Sequence, residues 1–278
     1  MPPREEREEA SPIQAAPAVL ASSRPPARHN TALRGTLAGM TNPNEIAKRR
    51  DLAALLFALL FPTLVTVLYF VVLSKHPSAF QQGAFGLGKI IQFAFPLAWV
   101  VWFQHTKIRL ARPDSKDLLA GAVLGLMILA AALALYYFML KPAGVFDKAG
   151  DAIREKVVGL GANSIPRYVA LSVFYCVIHS LGEEYYWRWF VFAQLRRLTS
   201  LPIAIVVSGL GFMAHHVIIL AVYFGWDSPW TYFLSMSVAV GGFIWEWMYE
   251  KTGSLYGIWA SHALVDTAIF IVGYDVVM

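Results

Sequence analysis

From Leu52 to the C-terminus the chain alternates between apolar runs of about 20 residues and short polar breaks. A run of that length covers a ~30 Å hydrocarbon layer when it is helical. Seven such runs are expected as transmembrane helices, at about 52–73, 84–104, 118–140, 168–192, 201–224, 230–249 and 254–274. An eighth crossing or a re-entrant segment has room only within 141–167, where Asp147 to Val158 reads instead as a short surface helix. The predicted fold class is therefore all-α, a polytopic membrane bundle of seven spans, with eight as the alternative. Residues 1–45 contrast with all of this. They hold seven of the 15 prolines and mixed charge such as Arg4-Glu5-Glu6-Arg7-Glu8-Glu9, with no apolar period. A disordered cytoplasmic tail is expected there, followed by a transmembrane domain over 46–278. The tail does not read as a signal peptide, because Ala15 to Ala21 is short and broken by proline. Met40 leaves a later start open, and with it whether residues 1–39 are translated.

Composition agrees with a membrane protein: 57% of residues are hydrophobic, only 15% are charged, and mean hydropathy is +0.52. Soluble domains carry about 25% charged residues. The single cysteine, Cys176, excludes a disulfide framework and a Cys-rich zinc site. A net charge of +5 invites a nucleic-acid partner, but no basic stripe on a soluble domain supports one. Basic residues at the ends of spans explain the excess and set orientation. Lys48-Arg49-Arg50 precede the first span, which places the N-terminus in the cytoplasm, and alternation puts Lys107, Arg109, Arg112, Lys116, Arg196, Arg197 and Lys251 on the same side. The expected location is an integral, multi-pass protein of the lipid bilayer, in the inner membrane if the source is bacterial. No internal repeat is visible. Trp99, Trp102, Trp226, Trp230, Trp245 and Trp247 read as an interfacial belt, Lys89 as a snorkelling residue, and Glu246 as lying one turn from the cytoplasmic end of its span.

Ionisable side chains inside lipid are costly, on the order of 2.5–3.5 kcal/mol each at mid-span, so each is a functional candidate. The densest group is His179-Ser180-Leu181-Gly182-Glu183-Glu184-Tyr185-Tyr186-Trp187-Arg188. Glu184 and Arg188 stand at i,i+4, suited either to a local ion pair or to a direct catalytic role. Glu183 points about 100° away and is the strongest functional candidate. His215 and His216 form a second group in the fifth span. Adjacent residues face different directions, so at most one of them is expected to join Glu183. His262 and Asp266 share one face of the seventh span at i,i+4, where a local hydrogen bond is the plain reading. At ~1.5 Å rise per residue, His262 lies about 12 Å from the start of its span and Glu183 about 14 Å from the end of its own. His216 comes out deeper, at about 22 Å, unless its helix tilts. These depths gather two carboxyl groups and two imidazoles in the cytoplasmic half.

In that order, Glu183-Glu184-Tyr185-Tyr186-Trp187-Arg188, Phe212 to His216, and His262 to Asp266 resemble the three motifs of the CPBP intramembrane protease family. That family holds the type II CAAX prenyl endopeptidases and the bacteriocin-processing and self-immunity proteins. The resemblance covers about 168–273, and it departs from the prenyl endopeptidases at Asp266, where they carry Asn. It implies a membrane-embedded endopeptidase in which Glu183 is the general base for the attacking water and His216 shares that water. It further implies that His262 and Asp266 stabilise the oxyanion and that Glu184 and Arg188 hold the first motif in place. Asp266 serves as a donor only when protonated, so orienting His262 as an acceptor stays open. The implied partner is a peptide or protein substrate at the membrane, with a C-terminally processed or lipid-modified protein as one candidate. No cofactor is expected; the alternative is a divalent metal such as zinc on Glu183, His216 and His262. Zinc metalloprotease, rhomboid-like serine and presenilin-like aspartyl motifs are absent, and Tyr274-Asp275 lacks a partner motif. Cys176 lies in an apolar helix, where a thiol is usually inert. Two other classes stay in view: a proton- or ion-coupled transporter using Glu183, His216 and Asp266 as a relay, and a non-catalytic scaffold or immunity protein.

Overall fold

A computed structural model describes residues 43–108 and 111–278. The expected disordered tail, apart from its last few residues, and Arg109 lie outside the described residues. Every regular element described is helical: α1 Glu45–Val72, α2 Ser78–Phe103, α3 Ser115–Leu140, α4 Gly150–Gly159, α5 Ile165–Leu198, α6 Leu201–Phe224, α7 Pro229–Thr252 and α8 Tyr256–Val277. Each of the seven expected runs folds as one long helix. Six of these, all but α7, are long and apolar enough among the described residues to cross a membrane. The 141–167 segment forms turns and the ten-residue α4, about 15 Å long and too short to cross, in line with the expected surface helix.

Local sequence explains the ends. Asp114 accepts the Lys116 backbone N–H at 3.2 Å and caps α3. Pro166, Pro202 and Pro229 occupy first-turn positions, where a missing N–H costs nothing. Gly253 takes the left-handed conformation, φ 62°, that closes α7.

Packing separates two kinds of apolar surface. Leu56, Leu60 and Leu64 form an exposed i,i+4 stripe on α1, and many large side chains of α2 and α3 are also exposed, as lipid contact requires. The core lies around the second half of α5. Tyr186, Trp187, Phe190, Val191 and Phe192 are buried there against Leu55 and Ala58 of α1, Val100 of α2, Phe212 of α6, Trp245 and Tyr249 of α7, and Ile258 of α8. A helix buried on all faces is the centre of a bundle, so α5 carries its polar residues inward to protein rather than to lipid. Among the described residues α3 and α8 make the most extensive contact. Gly121 lies against the Gly257 carbonyl and Gly125 against Ser261, a seam of small residues that lets two backbones meet without lipid between them. Outside the spans, α4 docks through Lys156, whose ammonium donates to Gln81 Oε1 at 3.1 Å and sits 3.8 Å from the Tyr69 ring centre. Burial lowers the pKa of that lysine.

Basic residues gather at one end of the bundle. Arg50 at the start of α1 donates to the Phe103 carbonyl at the end of α2 at 2.9 Å, and Gln104 and Gln194 exchange hydrogen bonds at 3.1 Å close to Arg196 and Arg197.

Candidate active site

Two stretches of α5, Phe174–His179 and Tyr185–Phe192, widen to i→i+5 hydrogen bonding and flank the short α-helical stretch Ser180–Glu184. Such turns shift the register of the following side chains and often accompany functional sites. Between them Glu183 and Glu184 project from a backbone held on every side. Glu183 is 5% exposed and is ringed by three imidazoles. Its Oε1 stands 3.9 Å from His179 Nε2 and 3.8 Å from His215 Nε2, and its Oε2 stands 3.9 Å from His262 Nε2. None of these is a direct hydrogen bond, yet each separation lets one water reach both groups.

The remaining residues support that ring. Nδ1–H of His262 donates to Glu184 Oε1 at 2.6 Å, a short charge-assisted bond that leaves Nε2 facing Glu183. The other oxygen of Glu184 stands 3.2 Å from Arg188 Nε, as the i,i+4 spacing anticipates, and both side chains are completely buried. Trp245 stacks on the His262 ring at 4.5 Å and 23°, and its indole N–H donates to Ser261 at 3.0 Å.

Some placements differ from the sequence reading. His215, not His216, is the member of the pair that comes within 4 Å of Glu183. His216 turns its Nδ1–H to the Phe212 carbonyl one turn back, at 3.0 Å, which fixes its tautomer with a free Nε2. Asp266 Oδ1 lies 3.6 Å from His262 Nε2 without a hydrogen bond, so the acceptor that orients His262 is Glu184 of another helix. His179, one turn before Glu183, is the local partner that sequence spacing could have supplied. Trp245 is 3% exposed and stacks on His262, so it faces protein rather than an interfacial belt, and the neighbouring Glu246 is fully buried. Lys89 does not snorkel to an end. It sits in the middle of α2, its ammonium 5.5 and 5.6 Å from the Phe85 and Phe93 ring centres, within electrostatic reach of Glu183. Phe93 in turn packs against Gly182. Asp275 pairs with Lys141 at 2.6 Å and Tyr136 at 2.7 Å, far along α8 from the site, and Cys176 is buried beside Thr267.

The helices set the depth of the site unequally. From Glu183 to Leu198 and from Leu201 to His215 the path is about 21–22 Å, whereas from Tyr256 to His262 it is about 9 Å. The α7–α8 turn therefore lies deeper in the bundle than the α5–α6 turn, consistent with Ser254 at 4% exposure.

Residues 165–268 match the family model described as Rce1-like, type II CAAX prenyl endopeptidase Rce1-like. The match supports the CPBP family. The matched segment runs from the first residue of α5 into α8 and contains every residue of the ring around Glu183. The match is to a family of CAAX-protease-like endopeptidases, which act on peptide or protein substrates at the membrane. No curated protein and no solved structure matches the chain.

A metal is the alternative raised by the sequence. Ligands on a tetrahedral zinc stand about 3.3 Å apart, from bond lengths near 2.0–2.1 Å. Of the set raised by the sequence, Glu183 and His262 stand 3.9 Å apart, and the other two imidazoles beside Glu183, of His179 and His215, stand 3.9 and 3.8 Å from it. Among the described residues no group of three or more His, Cys, Asp or Glu side chains is arranged to hold a metal ion.

Proposed function

We propose that this protein is an intramembrane endopeptidase that hydrolyses a peptide bond near the membrane with water activated by Glu183. The observation that carries this reading is the ring of His179, His215 and His262 around a buried Glu183, with His262 locked by Glu184. Glu183 takes a proton from water as the oxygen attacks the carbonyl carbon. The tetrahedral oxyanion is met by His262, protonated on Nε2 as well as on the Nδ1 that donates to Glu184, and by a protonated Asp266. The proton taken by Glu183 passes to the leaving amine as the C–N bond breaks. The products are a carboxylate and an amine, with no redox change. His215 is nearest to Glu183 for sharing the water; His216, with its tautomer fixed by Phe212, presents a free Nε2 from the same turn. The substrate class follows the matched family: a protein processed near its C-terminus, with lipid modification as the feature to test first.

The test is cleavage of a C-terminally prenylated peptide by purified protein in proteoliposomes. Glu183→Gln keeps the shape of the side chain and removes the base, so cleavage is expected to vanish while thermal unfolding in detergent stays within a few degrees of wild type. Retention of turnover by that variant overturns the role of Glu183.

A further inference from the structure

We infer that Glu246 of α7 is a positioning residue for this site, acting through Arg188 on Glu184. Arg188 and Glu246 are both completely buried, in the interior of α5 and α7. The Arg188 guanidinium lies between two aromatic rings, 4.8 Å from the centre of Phe212 and 5.1 Å from that of Trp245. Its terminal nitrogens extend past Gly242, where a Cβ would stand 3.6 Å from Nη2. That is one helical turn before Glu246, on the same face of α7. Only the inner edge of the guanidinium meets Glu184, at 3.2 Å. Nη1 and Nη2 of Arg188, both carboxyl oxygens of Glu246 and the Ser208 hydroxyl are all shut off from solvent, and none makes a direct hydrogen bond.

Buried polar groups in proteins are satisfied, directly or through water. The terminal N–H donors of Arg188 lie beside Gly242, one turn before Glu246, and no ion pair within 4.0 Å joins them to Glu246, so water across the gap is what links Arg188, Glu246 and Ser208. Arg188 is thus shared between two carboxylates. That sharing matters for the site because Glu184 has a second duty, the 2.6 Å bond to His262. With Glu246 in place, Arg188 is neutralised from its far end and Glu184 remains free to hold the imidazole. Without that second charge, Arg188 draws Glu184 toward itself, and His262 loses its fixed orientation toward Glu183. The path from Glu246 to Glu183 runs through Arg188, Glu184 and His262 and touches no substrate.

The inference rests on the proteolytic reading for its kinetic readout alone; the second readout needs no activity. The isosteric variant Glu246→Gln removes the carboxylate and keeps the volume and one acceptor oxygen. In the prenylated-peptide assay kcat is expected to fall about 10- to 100-fold with KM within twofold of wild type. In full-length protein labelled with ¹⁵N-histidine, the far-downfield Nδ1–H proton of His262, assigned by its loss in His262→Gln, is expected to move upfield in Glu246→Gln. Glu250→Gln is the control on the same helix, since Glu250 pairs bidentately with Arg196, at 2.8 and 3.0 Å, and it should leave the resonance where it is. An unmoved His262 resonance in folded Glu246→Gln overturns the inference, as does an unchanged kcat or a loss that only tracks the folded fraction. A wild type that cleaves none of the peptides sinks the proteolytic reading and leaves the resonance to decide this one.

Discussion

Asp266 stands 3.6 Å from the His262 nitrogen that faces Glu183, while Glu184 holds the opposite nitrogen at 2.6 Å. With Glu184 in the orienting place, the oxyanion-donor role is the reading of Asp266 to test. Asp266→Asn retains a donor and should keep much of the cleavage rate, whereas Asp266→Ala should lose roughly 10²- to 10³-fold in kcat. Equal losses in the two variants exclude the donor role. Metal belongs to the same scale. Both His216 and His262 have Nδ1 acceptors, Phe212 O and Glu184, so the histidines are oriented as ligands would be. The proposal of direct action by Glu183 rests on the spread of the ring instead. Purified protein should contain less than one equivalent of metal by elemental analysis and should keep its activity after exposure to strong chelators. A tightly bound equivalent of zinc, with activity lost on stripping and regained on return, reverses that mechanism. His179 with Glu183 has i,i+4 spacing and was passed over; Glu184 with Arg188, at the same spacing, was legible in the sequence because one helix fixes it. The bond from Glu184 to His262, the choice of His215 over His216 and the burial of Glu246 were not. Each depends on which faces of different helices meet, and hydropathy within a span carries no such information.

At the scale of elements, the seam between α3 and α8 is set by Gly121, Gly125, Gly257 and Ser261. A Cβ at Gly121 would overlap the Gly257 carbonyl, and backbone cannot move aside as a side chain does. Gly121→Leu is therefore expected to lower the detergent unfolding midpoint by many degrees or abolish folding. Gly159→Ala, with nothing within 4 Å of its new methyl, is expected to shift it little. The helices themselves were legible because ~20-residue apolar runs leave the backbone no other way to satisfy its polar groups in lipid. The end of α5 was not. It continues to Leu198 rather than stopping near 192, since Gln194, Arg196 and Arg197 extend the helix with polar residues that a hydropathy boundary excludes. The run expected at 230–249 does form a helix, α7, but Glu246, Glu250 and Lys251 leave it less apolar than the other six.

For the whole molecule, the arrangement of basic residues gives an orientation that labelling can test. Ser115 begins α3 at the Arg- and Lys-rich end, and Asn163 precedes α5 at the other. Cysteines placed singly at these positions, in a background where Cys176 is replaced by Ser, should react with impermeant reagents from opposite faces of the membrane, with Ser115 cytoplasmic. Labelling from one face means an additional crossing between them.

The unequal depth of the helix turns bears on how a chain could meet Glu183. Measured from the α5–α6 turn, Glu183 is more than half a bilayer away; measured from the α7–α8 turn, His262, whose ring stands 3.9 Å from that carboxylate, is about 9 Å along its helix. An extended peptide advances about 3.3 Å per residue. A strand entering at the level of Gly253 to Leu255 thus spans the distance with about three residues. The remainder of such a substrate can stay in its own environment, lipid or water, while a short unwound tip does the reaching.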